Sequence, residues 1–136
     1  MSAFQLDDRL ARDSELVVSL DVCQLRLMRD SRWPWLVLVP EREGLTEMFD
    51  LPALDQSMLF VEMNMVAAAL KRVTGAEKIN VGALGNIVRQ LHIHVVARST
   101  GDENWPGPVW GFGKAVPYDE HAKAAFIRKI LETLSS

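Results

Sequence analysis

Cysteine is almost missing from this chain, and so is any surplus of positive charge. Cys23 stands alone among 136 residues, which excludes an intrachain disulfide and any zinc framework built on thiolates. Flanked by apolar residues, it is expected to be a small core residue. Lysine and arginine total 15 against 18 aspartates and glutamates, a net charge of -3. Proteins that coat duplex nucleic acid rely on phosphate neutralisation, so no such partner is expected. No uncharged apolar run approaches the roughly 18 residues of a membrane span. The N-terminal MSAFQLDDRLARDSE lacks the basic and apolar regions of a secretory signal. The expected setting is the cytoplasm, without a membrane partner. Repeats, low-complexity tracts and linkers are missing as well. Residues 1–136 therefore read as one domain, with a core over about 15–100 and a C-terminal loop and helix over 101–136.

What is present is apolar patterning. Leu6 and Leu10 lie four apart and predict a short helix over 4–12. Leu16, Val17, Val18 and Leu20 read as a strand. Residues 22–28 read as a second strand and WLVLVP, closed by Pro40, as a third. Asp50 and Pro52 signal the start of a helix that runs to about Val73 and stops at Gly75. It carries two apolar stripes. Leu54, Met58, Val61, Met65 and Ala68 form one; Leu59, Met63, Val66, Leu70 and Val73 form the other. So wide an apolar surface predicts burial on more than one side, against a sheet and against a partner subunit. KINVGAL and QLHIHVVAR add two strands. WPGPVWGFGKAVPY is irregular, and Asp119 caps a last helix to about Leu134. Strand following strand through short links predicts an α+β fold: an antiparallel sheet of about five strands, a long helix and a C-terminal helix.

The chemistry concentrates in QLHIHVVAR, residues 90–98, which holds two of the three histidines. Alternation places Gln90, His92, His94, Val96 and Arg98 on one strand face and Leu91, Ile93, Val95 and Ala97 on the other. The second set is wholly apolar and is the expected core face, so the histidines are expected to lie outside the core. A metal site is one reading, but zinc wants three or four protein ligands and the remaining histidine, His121, begins the last helix at an expected exposed position. Simple core filler is a weaker second, and nucleophilic catalysis is the third. A neutral imidazole attacks phosphorus near pH 7 if one nitrogen is held by an acceptor and donors surround the phosphate. NVGALGN, just upstream, supplies donors: Gly82 and Gly85 permit close backbone approach, and Asn80 and Asn86 carry amide hydrogens.

QLHIHVV resembles the histidine triad (HIT) signature, in which three histidines alternate with apolar residues, and departs from it only at Gln90. NVGALGN is similar to the family's phosphate loop, and the VLVP strand, charged loop and long helix follow in the family's order. The resemblance covers about 17–98, and WPGPVWG resembles a bacterial branch of HIT-family hydrolases. It implies a nucleoside phosphate hydrolase or nucleotidyl transferase that acts on the α-phosphate through a covalent nucleotidyl-histidine. Nucleoside phosphoramidates and dinucleoside polyphosphates are the expected substrates, and a purine nucleotide or its conjugate the expected ligand. The resemblance makes His92 the nucleophile and His94 a donor to the phosphate or the bridging oxygen. Asn80 and the backbone of Gly85, Asn86 and Ile87 hold the phosphate oxygens, and Asp30 binds the ribose. It implies a homodimer and no cofactor or metal. Three positions depart from the family pattern. Gln90 replaces the first histidine, Ile87 a common hydroxyl residue, and Trp35 a histidine near the end of the early strand. A non-catalytic nucleotide binder and a metal-dependent enzyme using both histidines remain the alternatives.

Overall fold

The computed structural model describes residues 3–136. Its elements run α1 (Asp8–Asp13), β1 (Ser14–Ser19), β2 (Cys23–Met28), β3 (Trp35–Pro40), α2 (Ala53–Thr74), β4 (Lys78–Gly82), β5 (Ile93–Arg98) and α3 (Glu120–Ser135). The five strands form one antiparallel sheet in the order β1-β2-β3-β5-β4. This is the expected α+β architecture. Two strands are shorter than their apolar patterns suggest. β4 stops at Gly82, which pairs with His94, and β5 begins only at Ile93. Before it, the Leu91 N–H donates to the Leu45 carbonyl at 3.0 Å, so residues 90–92 run outside the ladder.

The first helix is also later than its leucines suggest. Asp7 caps it, accepting from the Arg9 N–H at 2.8 Å. Residues 5–7 lie outside the helix, held by the Gln90 amide, which accepts from the Asp7 N–H and donates to the Gln5 carbonyl, each at 2.8 Å. A tertiary contact here overrides a weak local preference for helix.

The core lies between the sheet and α2. Leu25, Leu27, Leu36, Leu38, Ile93 and Val95 meet Leu59, Val66 and Leu70 of the helix. Each fully buried leucine contributes about 2 kcal/mol. Glu62 is buried in the same layer, where its carboxylate accepts from the Val22 and Cys23 N–H groups at 2.9 and 3.0 Å and fixes the entry to β2. Cys23 is fully buried, as expected, and burial beside Glu62 pushes its thiol well up. Gly75 ends α2 in the left-handed conformation. The other α2 stripe stays exposed: Leu54, Val61 and Met65 are 78%, 50% and 45% accessible. α3 packs on α2 and on the edge strand β1.

The opposite face of the sheet is covered too. Trp33, Trp35, Val96 and Val109 form a second apolar cluster, with Met28 and Trp110 packed on it. β5 is therefore buried on both faces. The expectation that the histidine face lies outside the core does not hold, because residues 99–113 fold back across it.

Candidate active site

His92 and His94 sit where that second cluster meets the loop joining β4 to β5. Their rings are 4.9 Å apart, edge to face, and both are buried, at 7% and 6% exposure. His92 Nδ1 lies 2.7 Å from the Gln90 carbonyl oxygen. A carbonyl only accepts, so Nδ1 carries a proton, and in the neutral form of the ring the lone pair is on Nε2. His94 has the reverse arrangement. Its Nδ1 lies 2.9 Å from Trp35 Nε1, an indole nitrogen that only donates. Burial, with His92 beside it, drives the His94 pKa down to about 3, so this imidazole is neutral at physiological pH.

The loop 83–92 forms one wall. Gly85 has φ of 71°, a left-handed conformation that glycine adopts without strain. Gly82 is also bounded by a side chain from the C-terminal loop. What comes close is the Trp110 ring, 3.0 Å from where a Cβ would stand, so any side chain there would displace the tryptophan. Trp110 lies 5.6 Å from His94 between ring centroids, and its buried N–H has no acceptor among the described residues.

Asn80 pairs with Val96 across the sheet. Its side-chain oxygen accepts from Arg98 at 3.4 Å, which leaves the amide hydrogens free to donate. Asn86 and Ile87 are exposed on the loop, and the Ile87 carbonyl accepts from Arg9 at 3.3 Å. His92 lines a cavity of about 70 Å³ with Gly85, Arg89, Gln90, Thr46 and Glu47. Beside it, a cavity of about 250 Å³ is bounded by Asn86 and shares Gly85, Arg89, Thr46 and Glu47. Arg89, Thr46 and Glu47 had no motif to mark them. Only the folding of residues 41–50 against the loop reveals them.

Asp30 stands apart from the loop. It lines a different cavity of about 420 Å³ with Arg12, Arg29, Arg32, Trp35 and Phe112. Burial raises its carboxyl, but Arg32 at 2.8 Å and the N–H groups of Arg32 and Val116 outweigh that and hold it below the usual range. Its oxygens already have partners. Arg98 is a buried and paired cation. It is 1% exposed and pairs with Asp102 at 2.8 Å. It donates to the Gly107 and Glu103 carbonyls and lies over the Trp33 and Trp105 rings. His121 is exposed, and no three His, Cys, Asp or Glu side chains among the described residues converge as metal ligands.

Gln90 is divided between two tasks. Its carbonyl orients His92, while its side chain pins residues 5–7. Gln90→Ala is expected to lower the melting temperature by several degrees through the loss of two hydrogen bonds, about 1 kcal/mol each. Turnover should change by less than about tenfold, because the carbonyl remains (a factor of ten in rate is 1.36 kcal/mol). Thermal melts and steady-state kinetics of the variant check both.

A five-stranded antiparallel sheet with one histidine on β5 and a second just before it, beside a glycine loop, defines a small α+β class of protein. The HIT domain family model matches residues 9–101, and the chain belongs to the HIT family. It is similar to a histidine triad protein of Sinorhizobium meliloti, with 60% identity over 98% of both chains and a TM-score of 0.96. A histidine triad protein of Marinobacter aquaeolei is 41% identical over 97% of this chain and 96% of that one, with a TM-score of 0.94. One from Bradyrhizobium japonicum is 38% identical over 97% and 98%, with a TM-score of 0.96. No curated protein matches the chain significantly. Members of the family are generally nucleotide-binding hydrolases or transferases. No described helix is long and apolar enough to cross a membrane.

Proposed function

We propose that the chain is a nucleoside phosphate hydrolase or nucleotidyl transferase in which His92 Nε2 attacks the α-phosphorus. The observation that carries this reading is the 2.7 Å contact between His92 Nδ1 and the Gln90 carbonyl. It holds a proton on Nδ1, so that the neutral form of the ring presents its lone pair on the far nitrogen, and it stabilises the positive charge that develops when that nitrogen bonds to phosphorus. The side-chain change at Gln90 leaves this carbonyl in place. His94 Nε2–H, the Asn80 amide and the backbone of Gly85, Asn86 and Ile87 surround the phosphate oxygens. The unpartnered Trp110 N–H supports the same reading, since a buried donor without an acceptor costs about 1–3 kcal/mol that a substrate oxygen would recover. Substrates are purine nucleotides or their conjugates, and no metal or cofactor takes part.

The test is a panel of nucleoside phosphoramidates, dinucleoside polyphosphates and nucleotide sugars, assayed without added metal. Mass spectrometry of rapidly quenched reactions should find a nucleotidyl group on His92. A panel without turnover, or turnover abolished by chelation, would sink the reading.

The exposed α2 stripe of Leu54, Val61 and Met65 lies on the same side of the sheet as Val81 of the edge strand, itself 47% exposed. We assign this surface to a homodimer, since large apolar side chains left exposed together on one side of a fold mark interaction sites. Val61→Glu is expected to shift the protein from dimer to monomer in multi-angle light scattering at micromolar concentration. A wild-type monomer at that concentration would refute the assignment.

A further inference from the structure

Trp35 stands where the family resemblance places a histidine, and it makes a contact that histidine need not make. Its indole N–H points at His94 Nδ1 from 2.9 Å, and both side chains are buried. Because the indole cannot accept, His94 Nδ1 must present its lone pair, and the single proton of the neutral ring sits on Nε2. An imidazolium would carry a second N–H at Nδ1, facing the indole N–H, and would lose this bond. Surrendering the Nε2 proton instead would leave an imidazolate. His94 can thus donate a hydrogen bond without ever transferring a proton.

We propose that Trp35 is a positioning residue that fixes His94 as a neutral Nε2–H donor, restricting the site to leaving groups that depart as anions: phosphate, pyrophosphate or a nucleoside phosphate, rather than an amine. The proposal rests on nucleotidyl transfer to His92. In that reaction Nε2 of His92 bonds to the α-phosphorus as the P–O bond to the leaving group breaks, and the electron pair departs on oxygen. The nucleotidyl-imidazolium keeps its proton at Nδ1, on the Gln90 carbonyl. Water then attacks phosphorus, the P–N electrons return to His92, and the surplus proton of water passes to solvent. Neither step draws a proton from His94. An amine leaving group must gain a proton as its P–N bond breaks, and no histidine here supplies one.

The surroundings of His94 support this assignment. Along its own chain the neighbouring titratable group is His92, just before β5, which also disfavours charge on His94. On β3 it meets Trp35 and, directly opposite, Val37; on β4, Gly82; from the overlying loop, Trp110. Arg26 lies in the same cross-strand row, beyond Val37, and Arg98 further along β5 is neutralised by Asp102. Among the described residues no carboxylate faces the ring to stabilise an imidazolium. The Gln90 amide, occupied at both ends by residues 5 and 7, relays no proton. Among the described residues Glu47 is the carboxylate that lines the His92 cavity, and it lies on an exposed loop.

Two measurements test the proposal. In ¹⁵N NMR of histidine-labelled wild type, His94 should show an unprotonated Nδ1 and a protonated Nε2, unchanged from pH 8 to pH 5. Trp35→Phe, which keeps an aromatic ring and removes the donor, should admit the other tautomer or an imidazolium within that range. A protonated Nδ1 in the wild type would overturn the tautomer assignment. In kinetics, kcat/KM across adenosine 5′-aryl phosphates should fall steeply with leaving-group pKa. Adenosine 5′-phosphoramidate should turn over at least about 100-fold more slowly than a diadenosine polyphosphate, the usual contribution of a missing general acid. Trp35→His should narrow that gap, since histidine can accept as well as donate. A flat leaving-group dependence would overturn the substrate restriction. So would rapid phosphoramidate turnover, including turnover that disappears in Glu47→Gln. If no nucleotide in the series reacts, nucleotidyl transfer itself fails and the restriction with it, while the NMR measurement still decides what Trp35 does to His94.

Discussion

Alanine in place of His92 is expected to lower kcat by about 10⁴-fold or more, the scale on which enzymes lose turnover when a covalent nucleophile is removed. The size of the effect follows from the division of labour in the site. The remaining donors, His94 Nε2–H, the Asn80 amide and the loop N–H groups, can still hold a phosphate, but none offers a lone pair on nitrogen to phosphorus. Binding should therefore survive. Nucleotide-dependent thermal stabilisation of His92→Ala should match wild type within a degree or two while turnover and the trapped nucleotidyl adduct vanish together. The fold should tolerate the change. His92 makes one local hydrogen bond to the Gln90 carbonyl, so its loss should cost no more than about 1–2 kcal/mol. Wild-type kcat in this variant would show that the nucleophile lies elsewhere. Loss of both binding and turnover would instead make His92 a binding residue.

Arg98→Ala is expected to produce the largest stability loss, about 3–5 kcal/mol, which is the usual cost of breaking a buried ion pair from one side. The melting temperature should fall by about 10 °C or more. Arg98 is the hub of the loop over the histidines. It holds Asp102, the Glu103 and Gly107 carbonyls and the Trp105 ring, so the segment carrying Val109 and Trp110 depends on one guanidinium. Truncation leaves the Asp102 carboxylate, now held below its usual range chiefly by Arg98, without its cation. Tryptophan fluorescence should shift to the red and become more quenchable as Trp105 and Trp110 leave the body of the protein. Turnover should fall as well, because Trp110 packs beside His94. A variant that melts within about 2 °C of wild type would show that the loop is held by its apolar contacts instead. Lys at this position should rescue little, since the interaction depends on the several N–H groups of a planar guanidinium.

Much of this architecture was legible in local pattern. The two stripes of α2 were visible as spacings of three and four. The structure buries the Leu59, Val66 and Leu70 stripe and exposes the Leu54, Val61 and Met65 stripe. Alternation along residues 91–98 correctly placed Ile93, Val95 and Ala97 in the main core and both histidines on the other face. It failed on what covers that other face. Polarity there suggested access to solvent, whereas Trp33, Trp35, Val109 and Trp110 bury it. The polar groups tolerate burial because each finds a specific partner: Trp35 for His94, the Gln90 carbonyl for His92, Asp102 for Arg98.

Sequence alone thus determined the sheet, the two long helices and the placing of His92 and His94 on one face. Each of these is a matter of side-chain period or of backbone conformation within a few residues. Tertiary structure alone decided the proton positions on the two histidines, the buried role of Arg98, the close approach of Trp110 to Gly82 and the grip of Gln90 on the N-terminal segment. The Trp35–His94 bond spans 59 residues of chain and the Gln90–Asp7 bond 83. Side-chain period carries no information over such separations. Which nitrogen of an imidazole is protonated depends on the one group that packs against it.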